Sequence, residues 1–168
     1  MLFRSGRTPW ITALAFSPDG QTLSAGFNDW AIRLWRIPDG SLVREMKAHG
    51  RDVNSIAFVA DGQTIFSASN DQTLIAWRVS DGSALYTVTG HANHVSGVVV
   101  SPNRDIFVSS SWDKTIRLWQ VSDGKPLRRI EVSTVSSVSV DCVAFSPAGD
   151  LIAAGSDDGS IRFFGIQP

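Results

Sequence analysis

A histidine, a serine, an aspartate and a tryptophan occur twice at one spacing. His49, Ser67, Asp71 and Trp77 form the first set and His91, Ser109, Asp113 and Trp119 the second, with the first three residues 28, 10 and 6 positions before the tryptophan. Serine, histidine and aspartate together can activate a hydroxyl nucleophile, the imidazole acting as base and the carboxylate orienting it, so a hydrolase is the first reading to weigh. Duplication counts against it. A hydrolase needs one such set beside an oxyanion hole, whereas a device that holds a fold together is wanted once in every repeating unit. The remaining sequence offers no rival chemistry: there is no metal-binding His or Cys spacing, no GxGxxG and no phosphate-binding Gly-Lys-Ser/Thr element. The paired carboxylates Asp157 and Asp158 stand among turn residues, where capping is favoured over acid-base work. We therefore expect no enzyme, no cofactor and no metal.

The elements that position these residues follow from a repeat. Segments ending IRLW at Trp35, LIAW at Trp77, IRLW at Trp119 and IRFF at Phe164 are spaced by 42, 42 and 45 residues, and an aspartate (Asp29, Asp71, Asp113, Asp158) stands six positions before each aromatic. Turn clusters recur in phase, among them Ser17-Pro18-Asp19-Gly20 and Ser146-Pro147-Ala148-Gly149, with a second series at Pro38-Asp39-Gly40, Ser80-Asp81-Gly82 and Ser122-Asp123-Gly124. Between them lie runs such as ITALAF, TLSAGF and AIRLW, too short and too rich in β-branched or aromatic residues for helices. Each unit reads as a four-stranded meander that cannot cover both its faces alone, and radial stacking of such units gives a β-propeller.

The unit resembles the WD repeat, whose length is roughly 40 to 45 residues with an early Gly-His and a Trp-Asp-type ending. Gly90-His91 matches the first element outright, Ala48-His49 matches it at the histidine, and the residue after the aromatic is Arg36, Arg78, Gln120 or Gly165, never Asp. The resemblance implies an all-β propeller of four four-stranded antiparallel blades, forming part of a larger ring or assembling into one. It implies one domain over 1–168 with units at about 7–48, 49–90, 91–135 and 136–168, and 1–6 as an outer strand closing the last blade. It also implies that the two quartets are structural hydrogen-bond chains running from Trp indole to Ser, from Ser to His and from His to Asp. In the first and fourth units that chain is interrupted, because Arg7 and Ser136 stand at the His position, Ala25 and Ala154 at the Ser position, and Phe164 at the Trp position.

Family resemblance further implies a scaffold that binds other proteins or peptides on the face carrying the loops before each inner strand and the tight turns. By offset that face holds Trp10, Thr12, Asn28 and Trp30 from the first unit, Asp52, Asn54 and Asn70 from the second, His94, Ser96 and Trp112 from the third, and Ser139, Asp141 and Asp157 from the fourth. Tryptophan is the residue most enriched at interface hot spots, so Trp10, Trp30 and Trp112 are the anchor candidates. The three aspartates lend the face a mildly acidic character suited to a partner with some basic residues. A regulatory or sensory module of a larger multidomain protein is the alternative reading.

Charge and composition narrow the partners. With 15 basic and 16 acidic residues, a formal net charge of -1 and no run of like charge, nucleic acid and anionic membrane are not favoured. The single cysteine, Cys142, lies in a strand-like run and reads as a small buried hydrophobe, and the first residues form no apolar leader, so a cytoplasmic setting is expected. The fourth unit has room for three strands only. We expect the chain either to pair into a homodimeric, eight-bladed ring or to carry further repeats in a longer chain, with a tight four-bladed monomer as the alternative.

Overall fold

The computed structural model describes residues 9–103, 105–135 and 137–166; the strand expected at 1–6 lies outside them. Blade 1 comprises β1 (Ile11–Phe16), β2 (Thr22–Phe27), β3 (Ala31–Arg36) and β4 (Leu42–Lys47), and blade 2 comprises β5 (Val53–Phe58), β6 (Thr64–Ser69), β7 (Leu74–Arg78) and β8 (Ala84–Val88). Blade 3 follows with β9 (Val95–Val100), β10 (Ile106–Ser111), β11 (Thr115–Gln120) and β12 (Pro126–Glu131), and blade 4 with β13 (Val140–Phe145), β14 (Leu151–Ser156) and β15 (Ile161–Gly165). Each blade is an antiparallel meander in chain order, and residues 137–166 supply the fourth with three strands, as expected of that unit.

Turn chemistry sets these boundaries. The residue after each tight-turn aspartate adopts a left-handed backbone: Trp30, Gln72, Lys114 and Gly159, at φ 70, 72, 70 and 77°. Asp71 and Asp113 stabilise that turn by accepting the N–H of Thr73 and Thr115, two residues on. Gly124 shows why the second turn series needs glycine, since its φ is 70° and an added Cβ would lie 2.7 Å from Tyr86 and Val88 of the preceding blade.

One extra residue bulges from each inner strand. The register against the second strand skips Thr12, Asn54, Ser96 and Asp141 in turn. A bulge re-aims its side chain, and Thr12, Asn54 and Ser96 are thereby directed toward the next blade.

Inner strands pack in succession, β1 on β5, β5 on β9 and β9 on β13. Three cores fill the junctions: Ile32, Leu34 and Met46 meet Val53, Ile56 and Trp77; Phe66 and Leu74 meet Val95, Val98 and Trp119; Ile116 and Leu118 meet Val140, Val143 and Ile152. Phe66 and Phe107 stack across the middle junction at 4.1 Å. Arg44 ties the rim of blade 1 to blade 2 by donating to the carbonyls of Ser80 and Asp81.

Among the described residues β13 does not return to pack on β1 as neighbouring inner strands pack on one another. The four blades therefore form an open arc, which corrects the alternative of a tight four-bladed ring. Cys142 is also corrected: it is exposed, on the side of β13 against which no further blade packs among the described residues.

Candidate functional site

The two quartets are brought together alike in blades 2 and 3. The Trp77 indole donates to Ser67 Oγ at 2.8 Å, Ser67 Oγ lies 2.7 Å from His49 Nε2, and His49 Nδ1 lies 2.8 Å from Asp71 Oδ2. Trp119, Ser109, His91 and Asp113 repeat the chain at 2.8, 2.7 and 2.8 Å. An ionised aspartate only accepts, so Nδ1 carries the imidazole proton and Nε2 accepts from the serine hydroxyl, whose own lone pair takes the indole. Every polar group in the chain is satisfied, which removes the cost of burying it.

Both aspartates are held far below the ordinary carboxylate range. Burial pushes Asp71 up, but hydrogen bonds from His49, Thr73 and the Gly50 N–H outweigh it. In Asp113 burial is likewise outweighed, by His91, Thr115 and the Ala92 N–H.

This bonding pattern is that of a hydrolase triad, yet the surroundings differ. Ser67 and Ser109 are fully buried and each already accepts an indole N–H, so no substrate carbonyl reaches either hydroxyl in this conformation.

Blades 1 and 4 hold the same aspartate by other means, which sequence reading missed. Arg33, buried against the Phe27 ring, donates to both oxygens of Asp29 at 2.6 and 3.2 Å and to Glu45 at 2.7 Å. In blade 4 Arg162 donates to Asp158 at 3.0 Å and to Ser156 at 3.3 Å. Ser160, and after it Arg162, bring the Asp158 carboxyl down to about 2. The pattern Asp-x-x-x-Arg was visible in the sequence but also occurs in blade 3, where Arg117 stays 4.0 Å from Asp113.

Of the thirteen residues placed on the loop face, several have work inside the molecule. Thr12 donates to the Val53 carbonyl, Asn54 to the Val95 carbonyl at 2.9 Å and Ser96 to the Val140 carbonyl at 2.6 Å, so the bulge residues clip each blade to the next. Asn28 accepts the Trp10 N–H, Asn70 accepts from Asn54, the Asp52 carbonyl accepts the Asn70 N–H, and Asp157 accepts both the N–H and the hydroxyl of Ser139.

The tryptophans are different. Trp10, Trp30 and Trp112 stay half exposed, at 55, 50 and 47%. Trp112 is also held in place: its ring stacks on His94 at 4.9 Å, and its indole favours the ionised form of the nearby Asp141 carboxyl of blade 4. Burial, followed by the charge of Asp157, raises the Asp141 carboxyl above its usual value. The result is a rigid aromatic plane beside two carboxylates. Among the described residues no three His, Cys, Asp or Glu side chains gather as a metal site would require.

The family described as "WD domain, G-beta repeat" has a model that matches residues 2–36, 40–78, 82–120 and 124–164. The second, third and fourth stretches each take in the last strand of one blade or its preceding turn, followed by the first three strands of the next. A solved structure described as "Structure of U3-55K" aligns with a TM-score of 0.87 at 22% identity, covering 96% of this chain and 50% of that one. The chain thus spans half the length of that structure, and a likeness at this identity shows the fold alone. In all, 1638 chains of solved structures match, so the fold by itself names no partner. No curated protein matches the chain.

Proposed function

Because the chain belongs to the WD domain, G-beta repeat family, whose repeats generally mediate protein–protein interactions, we propose that it is a non-catalytic platform for other proteins or peptides, with Trp112 as its anchor. The observation that carries this reading is the half-exposed Trp112 ring, held by stacking on His94 beside Asp141. A ring already immobilised loses little entropy when a partner covers it. Asp141 and Asp157 beside it favour a partner segment with a lysine or arginine, whose cation can rest on the indole face and pair with a carboxylate. The buried quartets support the non-catalytic reading, since their hydroxyls are closed to substrate. A cytoplasmic setting, where an exposed single thiol stays reduced, suits Cys142.

Panning a random peptide library on the folded protein tests this. Selected peptides should be enriched in lysine or arginine and should lose about tenfold or more in affinity for a Trp112→Ala chain of unchanged thermal stability, a hot-spot effect. Peptides that bind a Trp10→Ala, Trp30→Ala, Trp112→Ala triple variant as well as the parent would overturn the assignment of the face.

A further inference from the structure

The junctions within the arc share one construction. At the first, blade 1 offers small Ala13 and Ala15 from its inner strand and large Ile32 and Leu34 from its third, and blade 2 answers with Val53, Ile56 and Phe58. The two outward faces of the arc repeat both halves. Blade 1 turns outward Ile11, Leu14 and Phe16, the register equivalents of Val53, Ile56 and Phe58. Blade 4 turns outward Cys142 and Ala144 with Ile161 and Phe163, the equivalents of Ala13, Ala15, Ile32 and Leu34. The residue types match and only the cover differs: Ile56 and Leu34 are 7% and 1% exposed, Leu14 and Phe163 60% and 69%. Contiguous apolar faces of this kind mark association surfaces.

We propose that these faces are the two halves of one further junction, and that a second copy of this chain fills both, head to tail, in a two-chain ring of eight blades. Size complementarity names the occupant. Cys142 and Ala144 leave room on the tail for Leu14 and Phe16 of a copy's head, as Ala13 and Ala15 leave room for Ile56 and Phe58 within the chain. A head-to-tail contact closes into a ring or grows into a filament, and two four-bladed arcs reach the upper end of the four to eight blades that closed propellers hold.

One tail position departs from the interior pattern. Thr12, Asn54 and Ser96 each donate to the first inner-strand carbonyl of the next blade, whereas the fourth bulge residue is Asp141, which when ionised has no proton to give. The Ile11 carbonyl of the incoming copy, standing where Val53 stands within the chain, lacks its clip. An Asp141→Asn chain supplies one, as Asn54 does toward Val95.

Size exclusion with light scattering on the purified chain at micromolar concentration decides the matter. The expected mass is twice 18.2 kDa. Leu14→Glu and Phe163→Lys, at positions exposed within the chain and so compatible with folding (checked by circular dichroism), should each run as a single chain. Mixed together they should pair again, through one unaltered junction and one Glu–Lys junction. Cys142, the only thiol, gives a readout without substitution: the pair should slow its alkylation by iodoacetamide by about tenfold relative to Leu14→Glu. Asp141→Asn should tighten pairing by up to about tenfold per junction, the worth of one hydrogen bond. A single-chain mass for the parent, a series of ever larger species, a mixture that does not pair, or an Asp141→Asn chain that pairs no more tightly would each overturn the proposal.

Discussion

Blades 2 and 3 and blades 1 and 4 solve the same local problem with different chemistry. Each tight turn leaves an aspartate, six residues before the repeat aromatic, that must be satisfied where the turn meets the core. In blades 2 and 3 a buried chain of histidine, serine and tryptophan does it, tying the loop before the inner strand to the second and third strands. In blades 1 and 4 an arginine from the third strand reaches back to the aspartate, as a bidentate pair with a buried guanidinium at Asp29 and as a single, partly exposed contact at Asp158. Blade 3 holds both an arginine and the chain, and there the histidine makes the short contact while Arg117 lies at 4.0 Å. The turn needs its carboxylate paired, and the arginine takes it only where histidine and serine are missing.

The largest contrast should come from the aromatic at the end of the chain. Trp119→Ala empties a fully buried site and removes the indole donor to Ser109, and should cost about 3–5 kcal/mol in urea unfolding. Phe164→Ala, at a partly buried position with no polar partner, should cost less; equal losses would break the distinction. Next is Ser109→Ala, which strips the acceptor from the Trp119 indole and the donor from His91 at once and should cost about 1–3 kcal/mol.

Acid provides a third contrast. Asp71 and Asp113 have native carboxyls depressed below their unfolded value of about 3.9, so the stability they contribute is fully present above about pH 4 and drains away as pH falls through their native values. An Asp71→Asn, Asp113→Asn chain should therefore show a flatter loss of melting temperature below pH 4 than the parent. An unchanged acid limb would place the charge linkage elsewhere. The smallest effect separates the blades by salt: about 1 M salt shortens screening to about 3 Å, so the destabilisation by Arg162→Ala should fade there while that of Ser109→Ala persists.

Repeat phase, the strands of each unit and membership of the quartets were legible in the sequence, because turn residues and the Asp-to-aromatic interval recur in register. The arginine pairs were not, since Asp-x-x-x-Arg occurs in blades 1, 3 and 4 and only the space left by a missing histidine and serine lets the guanidinium approach. Thr12, Asn54 and Ser96 were placed on the partner face because offset shows which end of a strand a residue occupies, but a bulge, which turns it toward the next blade, leaves no periodic trace. Cys142 was read as buried from strand alternation alone, which carries no information on whether another blade follows.

The most direct test of the two modes compares one substitution at one repeat position, Asp113→Ala with Asp158→Ala, by urea unfolding at neutral pH. The expected result is a loss of about 1–3 kcal/mol for Asp113→Ala, which leaves a buried imidazole donor without its acceptor, and a distinctly smaller fall in midpoint for Asp158→Ala, whose arginine partner turns to water. Equal losses at the two positions would contradict the claim that the buried chain, and not the aspartate itself, locks the middle blades.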